Sequence, residues 1–167
     1  FKTAPSVITS VKEMAERGIY GFTIPTDEYL CAVRWWHREM RGWQIEDDWI
    51  VPVLGTIYSV AEAIRMTAKE GEGVIVQTPV YYRYEYQMDF DDLEEKMRNP
   101  ENKLLILCNA HNPVGKVWPE EDLRRVARLS AKYGVIVISD EIFGEMAFDR
   151  HRVVPYASIE EGRKNAI

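Results

Sequence analysis

The chain has 167 residues, 46% of them apolar and 29% charged, which is the composition of one folded domain and not of a disordered segment. A net charge of −6, with no basic block to offset it, argues against nucleic acid and against an anionic membrane surface as partners. Apolar runs stay well short of a membrane span and no secretory signal pattern is present, so a cytoplasmic protein is expected.

Cys31 and Cys108 are far apart and read as reduced core residues, not as a disulfide or a metal site. His37, His111 and His151 are isolated and lack metal-ligand spacing.

Residues 4–17 are predicted to be a helix, with Val7, Ile8, Val11, Met14 and Ala15 at helical spacing, Pro5 in the first turn and Gly18 past the end. A Gly/Pro-punctuated aromatic loop follows over 17–26. Thr26 is placed to cap a second helix, with Asp27 and Glu28 in its first turn, running to about Met40 and ended by Gly42. The Trp35-Trp36 pair on it reads as packing. Asp48-Trp49-Ile50-Val51-Pro52-Val53-Leu54 reads as a strand entering Gly55-Thr56-Ile57. A helix then carries Val60, Ala61, Ile64 and Ala68 at core spacing. Strand, glycine, helix leaves backbone N–H groups at Thr56 and Ile57 pointing outward at the positive end of a helix, a geometry that suits phosphate but also occurs in many turns that bind nothing.

Residues 73–79 form a short β-branched run closed by Pro79, followed by Tyr81 and Tyr82, which either pack at the rim or offer a ring face to a flat ligand. Phe90 to Arg98 is a short helix with Phe90, Leu93 and Met97 inward. Residues 103–109 are a buried strand ending in Ala110-His111-Asn112-Pro113-Val114-Gly115, which is turn chemistry. Pro119-Glu120-Glu121 opens a helix with Leu123, Val126, Ala127 and Ala131 apolar and Gly134 at its end. Gly134-Val135-Ile136-Val137-Ile138-Ser139-Asp140-Glu141 is a continuous apolar run that stops at two carboxylates, the pattern of a strand buried on both faces of a parallel sheet. Asp140 is then either a cap residue or a carboxylate at the edge where open α/β sheets take ligands. Residues 142–148 and 153–156 suggest further short strand or loop pieces.

Alternating strands and helices give an α/β fold, a three-layer α/β/α arrangement around a mainly parallel sheet. Four features lie at carboxyl ends of strands: the helix start at Gly55-Thr56, the ring of Tyr81, the amide of Asn112 and the carboxylate of Asp140. A planar, phosphorylated, protonatable heteroaromatic would use all four.

Five segments, Ile19-Tyr20-Gly21-Phe22-Thr23, Asp48-Trp49-Ile50-Val51, Gln77-Thr78-Pro79-Val80-Tyr81-Tyr82, His111-Asn112-Pro113-Val114-Gly115-Lys116-Val117-Trp118 and Ser139-Asp140-Glu141-Ile142, resemble the fold-type I pyridoxal-phosphate enzymes. Within them the chain is most similar to the class I/II aminotransferase relatives that act as cystathionine β-lyases, or carbon–sulfur β-lyases. The resemblance implies pyridoxal 5′-phosphate as cofactor, an amino acid as substrate and a homodimer. It implies that Asp140 pairs with the pyridine nitrogen, that Asn112 donates to the ring 3-oxygen, that Tyr81 stacks on the ring, and that Gly55, Thr56 and Ile57 hold the phosphate. A class I/II aminotransferase and a non-catalytic, aminotransferase-like binding domain are the alternative expectations.

The chain departs from the family pattern at Phe143, where the family carries a Tyr or His to the cofactor oxygen, and at Phe22, where it carries Tyr. The Schiff-base lysine is expected beyond Ile167, which leaves no catalytic lysine within this chain. The resemblance further implies that residues 1–167 are a partial cofactor-binding large domain. The pieces expected elsewhere are an N-terminal segment, a C-terminal small domain, and roughly a couple of dozen residues after Tyr82, enough for another strand or two.

Overall fold

A computed structural model of the chain describes residues 2–78, 87–148 and 150–167. Its elements in order are α1 (Pro5–Arg17), α2 (Asp27–Arg41), α3 (Thr56–Thr67), β1 (Gly73–Val76), α4 (Phe90–Arg98), β2 (Asn102–Cys108), α5 (Glu120–Tyr133) and β3 (Ile136–Asp140), with single 3-10 turns at Asp47–Trp49, Tyr156–Ser158 and Arg163–Asn165.

The three described strands form one parallel sheet in the order β1-β2-β3. Leu104 lies opposite Ile136 and Cys108 opposite Asp140, while Val76 on the outer strand lies opposite Ile106. Because side chains alternate along a strand, this register sorts the apolar residues onto two faces. Ile75, Leu105, Leu107 and Val137 pack with Leu93 and Met97 of α4 and with Leu123, Val126 and Ala127 of α5. Leu104 and Ile138 face the other way, against Ala63 of α3, with Val60 and Ile64 beside it. Helices on both faces of a parallel sheet make the expected three layers, and they explain why β2 and β3 read as unbroken apolar runs. Leu104, Leu107 and Val137 are fully buried, and each such side chain contributes roughly 1.5–3 kcal/mol.

Beyond β3 the chain returns to the same strand. The Ile167 N–H donates to the Val137 carbonyl at 2.9 Å and the Ser139 N–H donates to the Ile167 carbonyl at 3.0 Å, so residues 166–167 run parallel beside β3. Tyr156, completely buried, meets Ser130 Oγ at 3.1 Å, and Asn165 Nδ2 donates to the same hydroxyl at 2.9 Å. This polar contact fastens the last turns to α5.

The structure corrects four expectations. Residues 50–54 form no strand: a 3-10 turn at Asp47–Trp49 leads into irregular chain, and Val51 and Leu54 are 74% and 98% exposed. β propensity alone does not make a strand where no described neighbour supplies ladder hydrogen bonds. Helix α1 forms over the expected residues, but its apolar stripe of Val7, Ile8, Val11 and Met14 is exposed. Cys31 is not a core residue: both cysteines are free thiols, Cys31 exposed and Cys108 half-buried. The Trp35-Trp36 pair packs only in part, since both rings stay exposed while the Trp36 indole donates to Glu145 Oε1 at 3.0 Å. Of the expected short strand or loop pieces, residues 142–145 are turns and 146–148 irregular chain, with the Gly144 N–H donating to the Glu141 carbonyl and the Met146 N–H to that of Phe143.

Candidate active site

Asp140 is the last residue of β3 and stands at the carboxyl edge of the sheet, as its place after the apolar run required. Its backbone carbonyl accepts the Asn109 N–H at 2.9 Å. The segment leaving β2 is thereby laid directly beside it.

That segment, 109–118, is a tight turn held by its own side chains. The His111 N–H donates to the Lys116 carbonyl at 2.7 Å and the Gly115 N–H to the His111 carbonyl at 2.8 Å. Asn109, completely buried, accepts the Trp118 N–H on Oδ1 at 3.2 Å and donates from Nδ2 to the Val154 carbonyl at 3.3 Å. The Trp118 indole donates to the Cys108 carbonyl at 2.9 Å, and its ring stacks on His111 with centroids 6.0 Å apart. Asn112 rides at the exposed tip of this braced turn.

Helix α3 supplies a third group. Gly55 precedes it with φ +144° and ψ 161° and no side chain caps the helix. This is a backbone region that is essentially glycine's alone. The first helical bond is the Ser59 N–H to the Gly55 carbonyl at 3.1 Å, so the N–H groups of Thr56 and Ile57 precede the helical ladder and point out at the positive end of the dipole. Ile57 is 89% exposed. Gly55→Ala is expected to lower stability by about 1–3 kcal/mol through strain at that φ; urea unfolding checks it. Unchanged values would show that the turn relaxes freely.

Among the described residues, two clefts lie along this edge. One, of about 350 Å³, brings Thr56 and Asp140 together with Arg41, Ser59, Glu141 and Glu145. The other, of about 580 Å³, is lined by Asn112 and the half-buried Phe143 together with Lys116, Met146, Phe148 and His151. The stretch from Asp140 to Met146 contributes to both. Of the expected site residues, Gly55, Thr56, Ile57, Asn112, Asp140 and Phe143 therefore fall at one edge, and Tyr81 lies outside the described residues.

The sequence did not single out an ionic cluster around Arg41. Arg41 Nη1 donates to Glu141 Oε2 at 2.8 Å and Nη2 to Glu145 Oε1 at 2.6 Å. Glu141 Oε1 accepts from Ser139 Oγ at 2.9 Å and from the Tyr156 N–H at 2.8 Å. Burial pushes the Glu141 carboxyl above its ordinary range, although the Tyr156 N–H, Ser139 and Arg41 all pull the other way. Burial also acts to raise Glu145, but Trp36 and Arg41 outweigh it and hold that carboxyl low. Nearby, burial raises the Cys108 thiol, which disfavours its thiolate form. No spacing rule links Arg41 to an acid 100 positions away.

The profile of the family described as Aminotransferase class I and II matches residues 76–167. The chain is 33% identical to cystathionine beta-lyase PatB of Bacillus subtilis (strain 168) over 95% of its own length and 46% of that protein's. It is 32% identical to the protein MalY of Escherichia coli (strain K12) over 97% of its length and 47% of MalY's. Among solved structures, cystalysin from Treponema denticola, which contains a pyridoxal 5′-phosphate cofactor, superposes with a TM-score of 0.93 at 30% identity, covering 99% of this chain and 48% of that one. The chain thus spans about half the length of the curated relatives it matches.

Proposed function

From the premise that this chain belongs to the class I and II aminotransferase family, we propose that it is the cofactor-binding part of a pyridoxal-phosphate-dependent carbon–sulfur β-lyase acting on an amino acid such as cystathionine. The observation that carries the reading is the cleft shared by Thr56 and Asp140, which sets an open helix start and an anionic strand end within one cavity at the carboxyl edge of a parallel sheet. The chemistry of the donors fits the cofactor. The N–H groups of Thr56 and Ile57 suit a dianionic phosphate. The carboxylate of Asp140, which accepts only the Ile142 N–H at 3.2 Å among the described residues, suits a protonated pyridine. The exposed amide of Asn112 suits a ring oxygen.

When bound, the cofactor supplies an electron sink for the electrons released at the substrate α-carbon. The chain's own residues prepare that step. Asp140 would hold the proton on the ring nitrogen, Gly55, Thr56 and Ile57 would hold the phosphate, and Asn112 would reach the ring from its braced turn. The Schiff-base lysine and the group that grips the substrate carboxylate belong, in this proposal, to residues beyond Ile167, and the domain of 1–167 is one part of a larger one. A homodimer is part of the same reading, supported by the exposed apolar side chains of Ile19, Phe22, Ile24, Leu54 and Ile57. So is a cytoplasmic setting, supported by two free thiols; among the described residues, no helix is long and apolar enough to cross a membrane.

The whole protein, incubated with cystathionine, is expected to release thiol, pyruvate and ammonia. Exchange of the amino group onto a keto acid without thiol release would instead establish an aminotransferase. Phe143 favours one further reading, since it lines the Asn112 cleft with a ring that can neither donate nor accept a proton. That reading is a non-catalytic domain that binds the cofactor, and it predicts binding with neither reaction.

A further inference from the structure

Helix α2 buries no residue outright, yet Arg41 at its end keeps only 12% of its side chain exposed. Its guanidinium spends Nη1 on Glu141 and both Nε and Nη2 on Glu145 Oε1, at 2.8, 3.0 and 2.6 Å. Gly144 permits the approach: a Cβ there would collide with Arg41 Nη2. Three carboxylates, those of Asp140, Glu141 and Glu145, line the cleft with Arg41. Two of them pair with Arg41, while Asp140 makes no ion pair among the described residues. Were all three free, they would repel one another, and a cationic ring entering the cleft could pair with any of them.

We propose that Arg41 is the positioning residue for Asp140: by claiming Glu141 and Glu145 it leaves Asp140, of the three acids described in the cleft, to meet the cofactor ring, and it pins the backbone on its carboxyl side. This rests on the cofactor reading above. The Arg41 fork reaches two acids from one planar group, a geometry that lysine cannot reproduce. Glu141 in turn is tied to Ser139 and to the Tyr156 N–H, so both neighbours of Asp140 in β3 and beyond it join the same network.

The test uses the whole protein, stripped of cofactor, and measures calorimetrically its affinity for pyridoxamine 5′-phosphate, which carries the ring and phosphate but forms no covalent bond to a lysine. Wild type, Arg41→Met, Asp140→Asn and the double variant are compared. Each single substitution is expected to weaken binding about tenfold, the scale on which a neighbouring opposite charge shifts protonation. With Asp140 already replaced, Arg41→Met is expected to cost no more than about twofold, because its effect runs through that carboxylate. Arg41→Lys, which keeps the charge and loses the fork, shows the same dependence on Asp140 at a smaller amplitude and carries the test should Arg41→Met not fold. An equal loss with and without Asp140 would reduce Arg41 to a structural brace, and no loss at all would remove it from the site; either result overturns the proposal. Wild-type protein that fails to bind, or Asp140→Asn protein that binds as well as wild type, overturns the cofactor reading itself and the role of Arg41 with it.

Discussion

Asp140→Asn in the whole protein is expected to slow the proposed carbon–sulfur cleavage of cystathionine by about a thousandfold. An ion pair near a protein surface is worth roughly 4 kcal/mol at contact distance, and each 1.36 kcal/mol of barrier is about a factor of ten. Asparagine keeps the side chain's shape and its bond from the Ile142 N–H, so folding is expected to stand and the loss to appear in turnover. Thermal unfolding alongside kcat separates the two. A loss within tenfold would mean that the ring nitrogen is not held by this carboxylate.

Trp118→Ala is expected to be the most damaging core substitution at the site, costing about 3–5 kcal/mol as large aromatic truncations do. The residue is 1% exposed, sits in the main core with Leu107 and Leu123, and closes the 109–118 turn through Cys108 and Asn109. Losing it opens a cavity and also releases the turn that carries Asn112, so under the proposed function cofactor affinity is expected to fall together with stability. Trp118→Phe, which keeps most of the volume and loses the indole bond, is expected to cost about 1 kcal/mol from the missing hydrogen bond, plus a small packing loss. Urea midpoints for both variants check the ordering, and a Trp118→Phe midpoint equal to that of the wild type would contradict the role given to the indole.

Much of the fold could be read directly from local pattern. Residues 134–141 announced β3 because a strand covered on both faces needs apolar side chains at every position, and its neighbour β2 did the same. Helix α4 fell on the expected residues because Asp89 caps it, accepting the Asp91 and Asp92 N–H groups, and Leu93 and Met97 share its inner face. Thr26 caps α2 by accepting the Tyr29 N–H at 3.2 Å, as its place before Asp27 and Glu28 suggested.

Where the reading failed, the missing information was not local. Residues 48–54 carry strand-forming side chains, but a strand is made by its neighbour's hydrogen bonds, and none of the described strands lies beside them. The stripe on α1 correctly marked a helix, but periodicity states which side chains share a face, not what covers that face. The places of Asp140 and Asn112 at strand ends and of Thr56 at a helix start could be anticipated because turn and strand-end chemistry is written in short segments. Arg41 was not, since an arginine at the end of an amphipathic helix looks solvated until the fold brings Glu141 and Glu145 to it. Phe143 gives the Asn112 cleft an apolar wall.

A crystal structure of the whole protein with pyridoxal 5′-phosphate would decide where the cofactor sits. The phosphate is expected on the Thr56 and Ile57 N–H groups and an Asp140 carboxylate oxygen within about 3 Å of the ring nitrogen. A cofactor seated elsewhere, or an Asp140 turned away from the ring, would contradict the proposed site.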